Sequence, residues 1–230
     1  MDEKRRQHYL KTMGIEVWVP RNSVVAAPAT PDERAASDQE ALSSSDPWRQ
    51  LEREVTHCTA CQLHEQRTQT VFGVGNRHAE WLVIGEAPGA EEDQQGEPFV
   101  GRAGQLLNAM LLAMGLLREQ VYIANIVKCR PPQNRDPRPE EAASCAGYLR
   151  RQIELIQPKI ILVVGRIAAQ NLLGTEEAIG KLRLIKHRYG TTQIPVVATY
   201  HPAYLLRSPL EKRKGWQDLQ FAYGVYKSAV

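Results

Sequence analysis

The chain has 230 residues and a net charge of +3, and 43% of its residues are hydrophobic. A chain of this length buries a substantial core in about one or two domains. No apolar run reaches the ~18 residues that cross a bilayer, and the first residues lack the apolar stretch of a signal peptide. We therefore expect a cytoplasmic protein with no membrane partner, in which a mildly basic charge permits nucleic-acid binding without requiring it.

Residues 1–46 differ in composition from the rest of the chain. Residues 5–13 can form a short helix, and residues 15–19 are an alternating apolar run. Residues 26–46 are rich in Pro, Ala, Ser and Asp, which predicts a disordered linker. The N-terminal part is therefore either a tethered docking peptide or a tail, and residues 47–230 form the predicted folded domain.

Predicted strands and helices alternate from residue 48 onward. Short apolar runs predict strands at residues 81–84, 121–127, 159–164 and 194–199. Helices are predicted at residues 48–55, at residues 106–117 and from Pro139, since proline suits the first helical turn. This alternation predicts a three-layer α/β/α sandwich with a mostly parallel, four-stranded central sheet.

The stretch GEAPGAEEDQQGEPFVGRAGQLL, residues 85–107, follows the first predicted strand. Ligands of open α/β sheets bind at the carboxyl ends of the strands, where the loops form a crevice. The first half of this stretch carries four carboxylates: Glu86, Glu91, Glu92 and Asp93. Because they would repel a phosphate group, we expect a neutral ligand or a developing cation.

Three further side chains are predicted to meet this loop at one edge of the sheet. Asn125, near the end of the second strand, has an amide that both donates and accepts hydrogen bonds. His201 follows the fourth strand and can stabilise charge on a leaving group, and Phe99 can stack on a planar ring. Each also has an ordinary interpretation as a turn, cap or core residue, but their joint placement favours a site.

The four cysteines are Cys58, Cys61, Cys129 and Cys145. A disulfide framework is unusual in a cytoplasmic chain, whereas four thiolates can hold a metal. Zinc and a [4Fe–4S] cluster both accept this ligand set, and four unrelated buried thiols are the alternative. Because the protein would supply every ligand, the predicted site is closed and structural.

Residues 51–223 resemble the family 4 uracil-DNA glycosylases, the iron–sulfur type, in GEAPGAEED, EPFVGRAG, NIVKCRPPQNR, HPAYLLR and the cysteine spacing. The resemblance implies the sandwich fold of uracil-DNA glycosylases and a [4Fe–4S] cluster on the four cysteines. It also implies excision of uracil from single- or double-stranded DNA by hydrolysis of the N-glycosidic bond, the first step of base excision repair.

The same resemblance assigns roles around the base. It implies that Phe99 stacks on uracil, that Asn125 pairs with its edge, and that His201 lies against it. Gly85 and Ala87 are expected to line the uracil pocket, where backbone N–H groups donate to the base.

The sequence does not determine which carboxylate supports the sugar cation or the water that attacks it. Related glycosylases have a water-activating Asp after the opening Gly of the first motif, where this chain has Ala87. The expected candidates are therefore Glu86, Glu92 and Asp93, because they are the carboxylates near the turn of the motif.

A uracil in a duplex has to be flipped out of the stack before it reaches such a site. Leu205 and Leu206 are predicted to fill the gap and Arg207 to contact a phosphate, unless the two leucines belong to the core face of a helix. Basic residues around the proline-rich loop are predicted to follow the backbone, although a solvated loop is the default: Lys128, Arg130, Arg135 and Arg138.

The sequence leaves two alternatives to a glycosylase. A uracil-DNA binding or sensing module would have the same pocket with little turnover. A nucleotide-binding redox protein is disfavoured, because GEAPG is not a G-x-G-x-x-G fingerprint. Relatives that trap uracil-DNA covalently carry a histidine-bearing insertion, and residues 131–139 contain no histidine.

The segment RRQHYLKTMGIEVWVPR is similar to the N-terminal segment of the psi subunit of bacterial DNA polymerase III. The psi segment docks on the chi subunit, so chi is an expected partner of residues 1–20. The expected anchors are Tyr9, Leu10, Met13, Ile15 and Trp18, with residues 26–46 as a flexible leash. We accordingly expect a monomeric bacterial enzyme that is associated with the nucleoid when it acts.

Overall fold

A six-stranded sheet forms the centre of the computed structural model, which describes residues 46–228. The order of its strands is β1-β3-β2-β4-β6-β5. Their bounds are Val74–Gly75 for β1, Trp81–Gly85 for β2, Tyr122–Asn125 for β3, Ile160–Val164 for β4, His187–Tyr189 for β5 and Ile194–Thr199 for β6. The central four strands pair in parallel and the two short edge strands pair antiparallel. The predicted four-stranded parallel core is confirmed, and the edge strands extend it.

The predicted docking peptide and almost all of the predicted linker lie outside the described residues.

Eight α-helices occur in residues 46–228. They are α1 (Pro47–Thr56), α2 (Ala90–Gln95), α3 (Arg102–Ala113), α4 (Pro139–Ile156), α5 (Arg166–Leu173), α6 (Ile179–Leu182), α7 (Pro202–Arg207) and α8 (Lys212–Lys227). The helix predicted at residues 106–117 is shifted toward the N-terminus, because Gly101 caps α3 and Gly115 turns the chain with a φ of 77°. Among the described residues, no helix has the length and hydropathy needed to cross a membrane.

Two layers of helices cover the two faces of the sheet. Residues of α1, α4 and α5 pack on one face, as Leu51, Leu149 and Ala169 illustrate. Residues of α3, α7 and α8 pack on the other, as Leu107 and Leu219 illustrate. Because both faces are covered, β2 and β4 are buried along their whole length, which explains their continuous apolar sequence.

The chain changes direction across the sheet at β2. It leaves β2 through α2 and α3 to reach β3 on one side, and then returns through α4 to β4 on the other side. The loops after the parallel strands therefore diverge at their carboxyl ends. This is the place where open α/β sheets form a ligand crevice.

Candidate active site

A cleft of about 440 Å³ opens at the carboxyl ends of the parallel strands. The loop after β2, the end of β3, the loop that follows β3 and the start of α7 contribute to its walls. It is lined by seven of the side chains predicted for the site: Glu86, Ala87, Glu92, Phe99, Asn125, His201 and Arg207.

Gly85 lies beneath the cleft and leaves space for two of these side chains. It is the register partner of Asn125 in the parallel pairing of β2 with β3. A Cβ atom at Gly85 would lie 2.4 Å from Asn125 Oδ1 and 2.6 Å from two ring carbons of Phe99. Any other residue at this position would therefore displace the amide or the ring.

The side chain of Asn125 is buried and its Oδ1 has no hydrogen-bond partner among the described residues. Leaving a buried acceptor unpaired costs about 1–3 kcal/mol. Since Asn125 lines the cleft, a ligand N–H group that meets Oδ1 would recover this energy. The amide is thus arranged to read the hydrogen-bonding edge of a ligand.

Phe99 has a strained backbone and a nearly buried ring. Its φ is 56°, a left-handed value that is uncommon for a bulky residue. Arg118 holds this turn by donating to Phe99 O over 3.3 Å and to Pro98 O over 2.6 Å. Gly104 is also required, because a Cβ atom there would lie 1.8 Å from Phe99 O. The sequence analysis did not identify Arg118 as part of this site. For Gly104, the glycine-containing segment GRAG, residues 101–104, was the sequence feature that indicated a close backbone approach.

His201 is held as a neutral imidazole at the N-terminus of α7. Its Nδ1 accepts a hydrogen bond from Ala203 N over 3.2 Å, which assigns the ring proton to Nε2. Burial, together with the charge of Arg207, lowers the pKa of His201 to about 4, and the charge of Glu92 opposes this shift. At neutral pH His201 is therefore a hydrogen-bond donor rather than an acid. Its ring centroid lies 5.6 Å from that of Phe99.

Glu86 is a half-buried carboxylate on the cleft wall. Burial, together with the charge of Asp136, raises the pKa of Glu86 to about 7, and the charge of Arg166 opposes this shift. A carboxylate with this pKa can accept a proton near neutral pH, which is the property of a general base.

Glu92 also lines the cleft, but its oxygens are occupied by the backbone. Oε1 accepts from Val100 N over 3.0 Å and from Gly101 N over 3.1 Å, and Oε2 accepts from Gly89 N over 3.1 Å. The carboxylate therefore fixes the loop that carries Phe99, which is a structural task.

Several of the predicted residues do not line the cleft, among them Asp93, Leu205 and Arg130. Asp93 is buried on the other side of α2, where both carboxylate oxygens accept from Thr68 N over 3.0 and 3.1 Å. Leu205 is only 2% exposed and belongs to the core, because α7 turns it toward the sheet. Arg130 does not line the cleft, and its Nε donates to Asn134 Oδ1 over 2.7 Å. The predictions of a catalytic Asp93 and of a wedge at Leu205 are therefore wrong in placement.

Several exposed residues follow Arg207, the last residue of α7, along the chain. Arg207 is exposed and lines the cleft, while Leu206 is half-buried. The turn after α7 carries Leu210, whose side chain is 92% exposed. Lys212 and Arg213, the first residues of α8, are also exposed.

The four cysteines line a second, much smaller cavity of about 10 Å³. Cys58 and Cys61 follow α1, Cys129 follows β3 and Cys145 lies on α4. Within residues 46–228, no three His, Cys, Asp or Glu side chains converge closely enough to hold a single metal ion. The four thiols therefore share the lining of one small cavity.

Hydrogen bonds from N–H groups are directed at three of the sulfur atoms. Arg67 Nη1 lies 3.1 Å from Cys129 Sγ, Lys128 N lies 3.3 Å from Cys145 Sγ, and Ala60 N lies 3.5 Å from Cys58 Sγ. Such donors stabilise thiolates and tune clusters that are held by cysteine.

The comparisons with known proteins agree with this geometry. The family described as the uracil DNA glycosylase superfamily matches residues 72–220. The chain is 50% identical over 165 residues to the type-4 uracil-DNA glycosylase of Archaeoglobus fulgidus, covering 68% of this chain and 82% of that protein. It is 48% identical over 157 residues to the type-4 enzyme of Thermotoga maritima, covering 67% and 80%. A type-5 uracil-DNA glycosylase of Pyrobaculum aerophilum is 32% identical over 149 residues, covering 57% and 64%. The chain therefore belongs to the uracil DNA glycosylase superfamily and, within it, to the type-4 uracil-DNA glycosylases.

Proposed function

We propose that the cleft binds a uracil flipped out of DNA and hydrolyses its N-glycosidic bond, the first step of base excision repair. The unpaired Oδ1 of Asn125 is the observation that carries this proposal. Uracil presents an N3–H donor beside the O4 acceptor, which matches the oxygen and the NH₂ of one amide. Cytosine presents an acceptor at N3, so it would leave Oδ1 unpaired and facing a lone pair.

Bond cleavage separates charge between the sugar and the base. The electron pair of the C1′–N1 bond leaves with uracil, and the negative charge spreads onto its O2. Neutral His201 is suited to donate Nε2–H to this anion, because its Nδ1 is already occupied by Ala203 N. The stacking face of Phe99 would hold the base in plane while the bond lengthens.

The sugar cation that remains is attacked by water at C1′. We assign Glu86 to this step, because it is the one carboxylate of the predicted trio that lines the cleft without occupied oxygens. Its charge stabilises the cation, and the carboxylate takes the proton as the water oxygen bonds to C1′.

The direct test uses duplex DNA with a single uracil, followed by alkali cleavage and a gel. Turnover would give a strand break at every uracil site under excess substrate, and thymine or cytosine at the same position would give none. A stable complex without breaks after alkali would support the binding or sensing module instead.

We propose a [4Fe–4S] cluster, rather than zinc, for the four cysteines. The resemblance of the motifs and of the cysteine spacing to the iron–sulfur type of uracil-DNA glycosylase favours the cluster, and all four cysteines line one cavity. The cluster would tie α1 and the loop after it to β3 and α4. Iron and sulfide analysis of the purified protein tests this, since stoichiometric zinc without iron would refute it.

We propose that the DNA-facing surface runs from Arg207 through Leu210 to Lys212 and Arg213. Leu210 is almost fully exposed and follows Arg207, which lines the cleft, by three residues. Its position suits a wedge that fills the gap left by the flipped nucleotide, with the three basic side chains on phosphates. This replaces the wedge predicted at Leu205.

We further propose that residues 1–20 dock on the chi subunit of DNA polymerase III, and that the enzyme acts in the cytoplasm as a monomer. The docking rests on the sequence similarity to psi alone. Titration calorimetry of a peptide of residues 1–24 against purified chi, with Trp18→Ala as the control, tests it. Absence of heat from the native peptide, or equal heat from the two peptides, would refute the docking and leave the glycosylase proposal intact.

A further inference from the structure

We infer that Lys128 is a positioning residue that connects the cysteine-lined cavity to Asn125, the residue that reads the base. The inference rests on the proposed roles of the cysteines and of Asn125. Lys128 is 1% exposed and among the largest fully buried side chains of the described residues. A lysine is rarely buried without a compensating partner, so its burial needs a reason.

Both ends of Lys128 are fixed. Its backbone N donates to Cys145 Sγ over 3.3 Å, at the cavity. Its side chain turns back along the chain, and Nζ donates to Asn125 O over 3.0 Å and to Gln152 Oε1 over 2.6 Å. One residue therefore contacts a cysteine sulfur and the main chain of the base-reading residue.

The contact with Asn125 O replaces a missing strand. β3 pairs with β2 along its length, but on its other side β1 reaches only Tyr122 and Ile123. The carbonyl of Asn125 has no strand partner on that side, and Lys128 Nζ satisfies it. Removal of Nζ would leave a buried acceptor unpaired at the residue whose amide faces the cleft.

Gln152 completes the connection and aligns Lys128. It is fully buried on α4, two turns beyond Cys145. Its Nε2 donates to Phe72 O over 2.9 Å and to Tyr122 OH over 3.3 Å, which orients Oε1 toward Lys128. The helix that carries a cysteine thus also carries the acceptor that holds the lysine.

In the part of the chain that the structure describes, the cysteines are the groups beside Lys128 that would carry a negative charge once they ligate a metal. Among residues 46–228, no carboxylate forms an ion pair with Nζ. Thiolates that ligate a metal are anionic, and Cys129 is the next residue in the chain. The cysteine site therefore stabilises the buried cation that holds Asn125 in place.

The test compares Lys128→Met with wild-type protein and with Lys159→Met, an exposed lysine paired with Glu80. Iron content, affinity for free uracil and affinity for DNA with an abasic site are measured for each. Lys128→Met should bind uracil at least about tenfold more weakly with unchanged affinity for abasic DNA, because only the base contact depends on Asn125. Lys159→Met should match wild type.

Gln152→Leu provides an independent variant that touches neither cysteine nor DNA. Gln152→Leu should retain iron and also weaken uracil binding. If Lys128→Met loses its metal or fails to fold, the uracil affinity of Gln152→Leu tests whether Lys128 positions Asn125. Unchanged uracil affinity in a folded variant, or equal losses for uracil and abasic DNA, would overturn the inference. Zinc in place of iron in the wild type would overturn the cluster proposal while leaving the uracil comparison valid.

Discussion

Gly85 and Asn125 are register partners on adjacent parallel strands, and a Cβ atom on Gly85 would approach Asn125 Oδ1 to 2.4 Å. The floor of the base pocket is therefore backbone. This close approach lets a buried amide and the ring of Phe99 share one small space.

Gly85→Ala should disable the pocket without unfolding the protein. The added methyl group displaces Asn125 or Phe99, and a misplacement of about 1 Å can cost roughly 100-fold in rate. Gly147→Ala is the matched control, because Gly147 lies in α4 with nothing within 4 Å of its virtual Cβ atom. Single-turnover excision rates and thermal unfolding are measured for both variants. Equal excision rates for Gly85→Ala and Gly147→Ala would contradict this description of the pocket.

The main features of the fold follow from local sequence. Buried parallel strands are continuously apolar, so β2 and β4 were predictable from residues 81–84 and 159–164. The edge strands β1 and β5 were missed, because two or three residues carry no usable periodicity.

The part of the site that depends only on the topology of a parallel sheet was predictable. Phe99, Asn125 and His201 meet at the cleft because loops after parallel strands share an edge. The roles of Glu92 and Asp93 were not predictable, since Glu92 accepts from Val100 N and Gly101 N in the loop beyond its helix, and Asp93 accepts from Thr68 N, 25 residues away. The helical register that buries Leu205 depends on where α7 begins.

Glu86→Gln should lower the single-turnover rate by about 10²–10⁴-fold, the usual contribution of a general base. The pKa of Glu86 is raised to about 7, and the base is the deprotonated form. The wild-type rate should therefore rise with pH through about 7, and the residual rate of the variant should lose this rise.

Glu91→Gln is the control for this prediction, because Glu91 is exposed on α2, the helix that follows the loop carrying Glu86. It should keep the wild-type rate and pH profile. A Glu86→Gln rate within a few-fold of wild type, or a profile that still rises near pH 7, would remove Glu86 from the water-activating step.

Leu210→Ala should weaken excision from duplex DNA and spare single strands. A wedge compensates the unstacking that flipping requires, worth a few kcal/mol, so we expect a loss of about tenfold or more on duplex substrate. Leu112→Ala removes another exposed leucine, on α3, and should change neither substrate. Equal losses on duplex and single-stranded DNA would exclude a wedge at Leu210.

The central claim is that the amide of Asn125 reads uracil, and Asn125→Asp tests it most directly. The carboxylate removes the donor for O4 and places negative charge beside the departing uracil anion. Asn171→Asp, on an exposed site of α5, is the control. Single-turnover excision of uracil from a defined duplex should fall by about 100-fold or more in Asn125→Asp and remain at the wild-type rate in Asn171→Asp. An Asn125→Asp rate equal to wild type would remove Asn125 from base recognition and contradict the account.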